Sequence, residues 1–213
     1  MTEWVGRSYD RRWEAYTEAS LAPLLARIEH APPAPDVRIL DIGCGTGVLL
    51  ERVARRHRGA SLAGIDPSSA MLVAAARRLR AAGQGAPRLM QGAGEAVPLA
   101  SGSFDLVVSS SSLHFWPDPQ AGLNEAARVL GPGGRLVLMD WSGDSLPMRL
   151  LDYWLRFRDP RHRRVLGRAE LRRLLERAGF EIRLLRQLRS HGLWSHLLVD
   201  AVVSNSPVRS PLR

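Results

Sequence analysis

Lysine is absent from this chain. All 30 basic residues among its 213 are arginine, so no step that needs a lysine Schiff base or a P-loop lysine is open to it. Cysteine occurs once, at Cys44, which excludes an intrachain disulfide and a cysteine-rich zinc site. No apolar run reaches about 18 residues, so the sequence predicts no membrane span. The opening residues MTEWVGRSYDRRWEAY lack an apolar signal core, and a cytoplasmic location is the expectation. What is present is ordinary globular composition, 45% hydrophobic and 24% charged, which argues against wholesale disorder. The length suits one domain, able to bury about 70% of its unfolded surface without a covalent staple.

The net charge of +9 is unevenly placed. Residues 1–148 balance at 15 arginines and 15 acids, whereas residues 149–189 hold 13 arginines against 5 acids. Two readings stay open for that segment: arginines on solvated helix faces, or a basic surface facing an acidic partner.

Apolar periodicity predicts a helix over 8–30, which Pro23 should kink or split. APPAP at 31–35 is a short connector. Beyond it the chain alternates. Strands are expected at 37–43, 61–66, 86–91, 103–112 and 135–141. Helices are expected at 48–57 and at 68–83, where Ser68 is the N-cap and Gly83 lies past the end. A further helix at 118–134 should be closed by the Gly-Pro-Gly-Gly turn. A helix at 169–180 and two closing strands follow, with no helix between them. Such alternation implies an α/β fold with a mostly parallel sheet covered on both faces. The last two strands, lacking a crossover, should pair antiparallel. Residues 142–167 fall outside the alternation.

The first strand runs into DIGCGTG at 41–47. In an open α/β sheet, ligands bind beyond the carboxyl ends of the strands, and glycines there permit tight turning and close approach. A dinucleotide site wants G-x-G-x-x-G, but here Val48 stands where the third glycine should fall. Asp41 precedes the loop, a poor neighbour for a diphosphate and a good one for a cationic amino acid group. Asp66 ends the second strand, where a carboxylate can accept both hydroxyls of a ribose. The implied ligand has a ribose, a positively charged end and no diphosphate.

These residues resemble the class I S-adenosylmethionine-dependent methyltransferases, in particular the type 11 small-molecule group. The likeness runs from about Val37 to Trp141, through RILDIGCGTG, GID, QGAGEAVPL at 91–99, FDLVVSSSSLHF at 104–115 and ARVLGPGGRLVLMDW at 127–141. It implies a Rossmann-like doubly wound sheet of seven strands ordered 3-2-1-4-5-7-6. It divides the chain into an N-terminal helical flap at 1–36, a methyltransferase domain at 37–206 with a lid at 142–167, and a frayed tail at 207–213. The implied cofactor is S-adenosyl-L-methionine, with S-adenosyl-L-homocysteine as product and no metal. Asp41, Gly43, Gly45 and Gly47 are expected to line its methionine half. Asp66 is expected at the ribose, Pro67 against the adenine, Ser109 near the methyl donor, and Tyr9 as a contact from the flap. Relatives often carry an aspartate where this chain has Ala93, so the adenine contact passes to the backbone at Ala93 and Gly94 or to Glu95.

A sulfonium is a good methyl donor, so the protein mainly aligns an acceptor and excludes water, worth about 7–11 kcal/mol. A base matters only when the acceptor must lose a proton. His114, just past the fourth strand, is the candidate; His162, His191 and His196 are weaker ones. The segment 142–167 offers two pictures: Met148, Leu151, Trp154, Leu155 and Phe157 as an apolar wall rimmed by Arg149, Arg156 and Arg158, or a lid whose arginines face water. The first suits a small apolar or aromatic acceptor bearing an acid group. Three rivals remain: an RNA or protein methyltransferase using the arginine segment, although no separate nucleic-acid module is visible; a non-catalytic scaffold; and a nicotinamide oxidoreductase, which the glycine spacing disfavours.

Overall fold

A computed structural model describes residues 17, 20–30, 34, 36–83, 87–189 and 194–204. Helix α1 runs unbroken through 20–30, so Pro23 does not split it there. Strand β1 (Arg38–Ile42) leads through the glycine loop into α2 (Val48–Arg56), followed by β2 (Ser61–Asp66), α3 (Ser69–Ala81) and β3 (Arg88–Gln91). Next come β4 (Phe104–Ser110), a short 3-10 turn (Leu113–Phe115), α4 (Pro119–Val129) and β5 (Leu130–Trp141). The chain continues with α5 (Leu146–Arg158), α6 (Arg168–Arg177), β6 (Phe180–Arg189) and β7 (Ser195–Val203). The seven strands form one sheet in the order β3-β2-β1-β4-β5-β7-β6. Strands β1 to β5 pair in parallel, and β7 runs antiparallel to both β5 and β6.

The strand period of two sorts the core into layers. Leu40, Ile42, Val107, Leu136 and Leu138 meet Leu123, Ala126 and Val129 of α4 and Leu171 and Leu175 of α6. The alternate residues Ile39, Leu106, Val108, Val137 and Met139 face the other way, against Leu24 and Ile28 of α1 and Leu49 and Val53 of α2. Helix ends follow local chemistry. Ser68 Oγ accepts from the Met71 amide at 3.4 Å. Asp118 accepts from the amides of Gln120 and Ala121, just ahead of Pro119. These bonds satisfy donors that a helix start leaves open.

Two expectations need correction. Helix α4 stops at Val129 and does not reach 134. Leu130 already pairs with Phe104, and the register shifts before Arg135 pairs with Leu106. The Gly-Pro-Gly-Gly run is therefore a bulged start of β5, with Gly133 at φ +68°. Residues 146–158, outside the alternation in the sequence, form a regular 13-residue helix. Helix α1 is clamped to the neighbouring strands β5 and β7. Arg135 donates to Asp200 at 2.9 and 3.0 Å and to the carbonyl of Arg27 at 2.7 Å. Asp200 also accepts from Arg27. A guanidinium thus caps carbonyls at the carboxyl end of α1, where the helix leaves acceptors free.

Candidate active site

The loop after β1 is fixed by backbone bonds: the amides of Gly43 and Cys44 both donate to the Ile65 carbonyl at 2.9 Å. Gly43, Gly45 and Gly47 all have left-handed φ, at +78°, +51° and +79°. Their surroundings differ. A Cβ on Gly43 would sit 2.4 Å from Ser112 Cβ, and one on Gly47 would sit 3.0 Å from Ala75 Cβ. A Cβ on Gly45 would meet nothing within 4 Å. The outer glycines are set by close packing as well as by φ, whereas Gly45 faces open space.

Two acids flank this loop. Asp66 Oδ2 accepts from the Gly45 amide at 2.9 Å and Oδ1 from the Ser68 amide at 2.8 Å. Each oxygen keeps a further lone pair. Burial holds its carboxyl above the usual range despite those bonds. Asp41 is 1% exposed, and its Oδ1 has no hydrogen-bond partner among the described residues. Burial, with the Asp66 charge adding to it, raises its pKa to about 8. A buried acceptor without a donor is costly, and such a group marks a place where a partner is missing. Cys44 is buried, and burial, with the charges of Asp41 and Asp66 adding to it, pushes its thiol up, so it is a packing residue.

Pro67 and Ala93 are exposed beside the loop. Ala93 bridges to Ala96, so the segment turns tightly. Gly94 is buried, and a Cβ there would lie 2.8 Å from the Trp116 ring. Glu95 Oε1 accepts from the Asp118 amide at 3.3 Å. Ser109 is buried: its hydroxyl donates to the Ile42 carbonyl and meets Ser112 Oγ, both at 2.8 Å. It thus points into the β1–β4 seam, and what it does there is to brace the strand ends. Tyr9 and His191 lie outside the described residues.

On the β4–β5 side the acids are fully partnered. His114, 3% exposed, stacks on Trp141 with ring centroids 4.2 Å apart. Its Nδ1 bonds Asp140 Oδ1 at 2.7 Å. Asp140 also accepts from the amides of Leu113 and Trp141, each at 2.7 Å. A second pair joins His162 Nε2 to Asp152 Oδ1 at 2.7 Å, with Asp152 held further by Val165 N and Arg156. The loop after α5 closes on the 3-10 turn through the Arg163 amide, which donates to the His114 carbonyl at 2.9 Å. Burial pushes His162 and His196 below the ordinary histidine range, which suits neutral core imidazoles. The apolar wall expected from α5 is not formed: Met148 is buried, but Trp154 and Phe157 face outward.

Sequence reasoning missed Asp140, although an acid at the carboxyl end of an apolar strand was the signal used for Asp66. It also missed Ser111, a non-glycine residue at φ +52° directly after β4; such strain, about 1–3 kcal/mol, collects at functional sites. A groove of about 620 Å³ lined by Arg38, Asp105, Leu106 and Arg135 lies at the opposite, amino edge of the strands, away from these groups.

Comparison with known proteins agrees with this geometry. Residues 40–138 match the family Methyltransf_11, described as a methyltransferase domain. Over that span, 99 of the 213 residues, the chain is similar to the class I S-adenosylmethionine-dependent methyltransferases of the type 11 group. It is 37% identical over 100 residues to the uncharacterized methyltransferase YdaC of Bacillus subtilis, covering 47% of this chain and 54% of that protein. It is 38% identical over 125 residues to the ubiquinone/menaquinone biosynthesis C-methyltransferase UbiE of Cereibacter sphaeroides, covering 58% of this chain and 50% of that one. The chain thus spans about half the length of these curated relatives. A solved SAM-dependent methyltransferase from Methanosarcina mazei shares the fold at a TM-score of 0.70 and 25% identity, over 83% of this chain and 97% of that one.

The glycine loop after β1 fits S-adenosylmethionine, the cofactor of that family, on its own chemistry. S-adenosylmethionine carries an ammonium, a sulfonium and a ribose. Asp41 Oδ1 is an acceptor lacking a donor, Gly45 leaves room for close approach, and Asp66 retains lone pairs for hydroxyls. Asp41, Gly45 and Asp66 could therefore hold the cofactor directly. Gly43, Gly47 and Ser109 shape the loop that presents them.

Proposed function

We propose that this chain is an S-adenosylmethionine-dependent methyltransferase acting on a small-molecule acceptor, chiefly by alignment and exclusion of water. The observation that carries the reading is the buried, unpartnered Asp41 carboxyl beside Asp66 and the open flank of Gly45. In this reading Asp41 takes the cationic methionine half, Asp66 accepts the ribose hydroxyls, and Pro67, Ala93, Gly94 and Glu95 border the adenine. The bound cofactor supplies an electrophilic methyl group on sulfur. The protein's task is to hold the acceptor nucleophile in line with that methyl, worth about 7–11 kcal/mol when well oriented.

Where the acceptor must lose a proton, this reading assigns that step to His114. With Nδ1–H donating its hydrogen bond to the Asp140 carboxylate, Nε2 is left as the acceptor nitrogen. An apolar acceptor is supported by the aromatic surroundings of His114, namely Phe115 and Trp141. The relative from Cereibacter sphaeroides is named for C-methylation in quinone biosynthesis, which favours carbon as the acceptor atom. Several arginines of the basic segment are taken up by neighbouring acids: Arg156 by Asp152, Arg161 by Asp159, Arg164 by Glu170 and Arg172 by Glu176. That weakens a nucleic-acid acceptor. The location proposed is cytoplasmic; no helix among the described residues is long and apolar enough to cross a membrane.

The test is turnover. Purified chain with labelled S-adenosylmethionine and a panel of quinol, phenol and carboxylate acceptors should give S-adenosylhomocysteine above the acceptor-free rate. Tight cofactor binding without turnover on any of the panel would favour a non-catalytic role.

A further inference from the structure

Helix α5 is amphipathic in an unusual sense, because its outward face is the apolar one. Leu146, Leu150, Tyr153, Trp154 and Phe157 recur at helical spacing and form one stripe. All are exposed, from 54% at Trp154 to 73% at Phe157. The inward face is held by buried Met148 and by Asp152, which is tied to His162, Val165 and Arg156. The helix is therefore anchored, and the stripe is a surface it presents. Tyr153 and Phe157 pack edge to face with centroids 5.0 Å apart, and the Arg158 guanidinium lies 5.6 Å from the Trp154 ring centroid.

The stripe sits in the part of the chain where the positive charge collects. Arg149 and Arg158 flank it on the same helix and form no ion pair among the described residues. A single convex helix with leucines and aromatics outward and arginines beside them is what an interfacial helix requires: apolar groups at the acyl boundary, aromatics at headgroup depth, arginines on anionic headgroups. A second copy of this chain is a poor occupant. Two α5 stripes brought face to face would set the same unpaired arginines against each other without an acid to meet them.

We infer that α5 is a docking surface for an anionic lipid bilayer, which it meets lying in the interface plane through Leu146, Leu150, Tyr153, Trp154 and Phe157. The inference does not depend on the methyl-transfer reading. It concerns where the protein sits, and its readout needs no turnover.

The experiment is co-sedimentation of the full chain with vesicles of phosphatidylcholine alone and with about 30% phosphatidylglycerol. The chain should pellet with the anionic vesicles and stay in the supernatant with the neutral ones. The double variant Leu150→Ser, Phe157→Ser should weaken that partition by roughly tenfold or more, and Arg149→Gln, Arg158→Gln should weaken it and flatten its salt dependence. Hydrogen exchange on the unmutated chain gives a check independent of any variant: protection of 146–158 should rise on adding anionic vesicles. The inference is overturned if the chain ignores anionic vesicles, if the apolar double variant binds as well as the parent, or if vesicles leave exchange in α5 unchanged. It is also overturned if sedimentation velocity finds a dimer that the apolar variant dissolves, since the stripe would then face a second copy.

Discussion

The two halves of the carboxyl edge of the sheet treat their acids in opposite ways. At β1 and β2, Asp41 is buried with one oxygen unpartnered and its proton held to about pH 8. At β5, Asp140 is just as buried but accepts three hydrogen bonds, from His114, Leu113 and Trp141. The fold completes the second acid and leaves Oδ1 of the first without a partner among the described residues. An acid whose partners lie in the protein holds the structure together; an acid without them costs stability until something cationic arrives.

Replacing each acid should separate these roles. Asp140→Ala leaves two buried amides and an imidazole without their acceptor, and should cost about 3–5 kcal/mol of stability in chemical denaturation. A loss within measurement error would show that the β4–β5 network is not structural. Asp41→Asn should leave the ligand-free protein no less stable while weakening cofactor affinity by about 1.5–3 kcal/mol in calorimetry. If it unfolds the chain instead, the contrast between the two halves collapses. Asp66→Ala should weaken cofactor affinity by at least ~1.5 kcal/mol, and an unchanged affinity would remove this residue from the ribose. The smallest effect belongs to Gly45. Gly45→Ala should cost only the left-handed strain, about 1–2 kcal/mol in the ligand-free protein. Gly43→Ala should cost more in a thermal melt, since its Cβ must displace Ser112; equal losses would mean that the packing difference is unimportant.

The β1–β2 half was legible in the sequence because its signals are backbone signals. Left-handed φ at 43, 45 and 47 demands glycine, and the acids at 41 and 66 fall at strand ends that apolar runs make visible. Strand and helix alternation, the Ser68 cap and the antiparallel pairing of the last strands were readable for the same reason: each depends on local pattern. The other half depends on side chains from distant segments. The Asp140–His114 and Asp152–His162 pairs join residues 26 and 10 positions apart, and no spacing rule announces them. Helix α5 escaped because its apolar stripe faces outward and so mimicked the lining of a pocket. The Gly-Pro-Gly-Gly run looked like a turn because a bulged strand start uses the same residues.

The central claim is that Asp41 waits for a cationic ligand, and proton linkage tests it most directly. Its pKa is raised in the fold from 3.8 to about 8. The ligand-free fold therefore holds more protons than the unfolded chain between those values. Stability should fall as pH rises through that window and level off above about 8. A cation at Asp41 favours the carboxylate, so binding below pH 8 should release a proton. The measurement is calorimetry of S-adenosylmethionine binding near pH 7 in buffers of different ionisation enthalpy, on the parent and on Asp41→Asn. The account predicts heat of binding with net proton release in the parent, and loss of that release in the variant. Absence of binding by a folded parent, or the same proton release in Asp41→Asn, would contradict it.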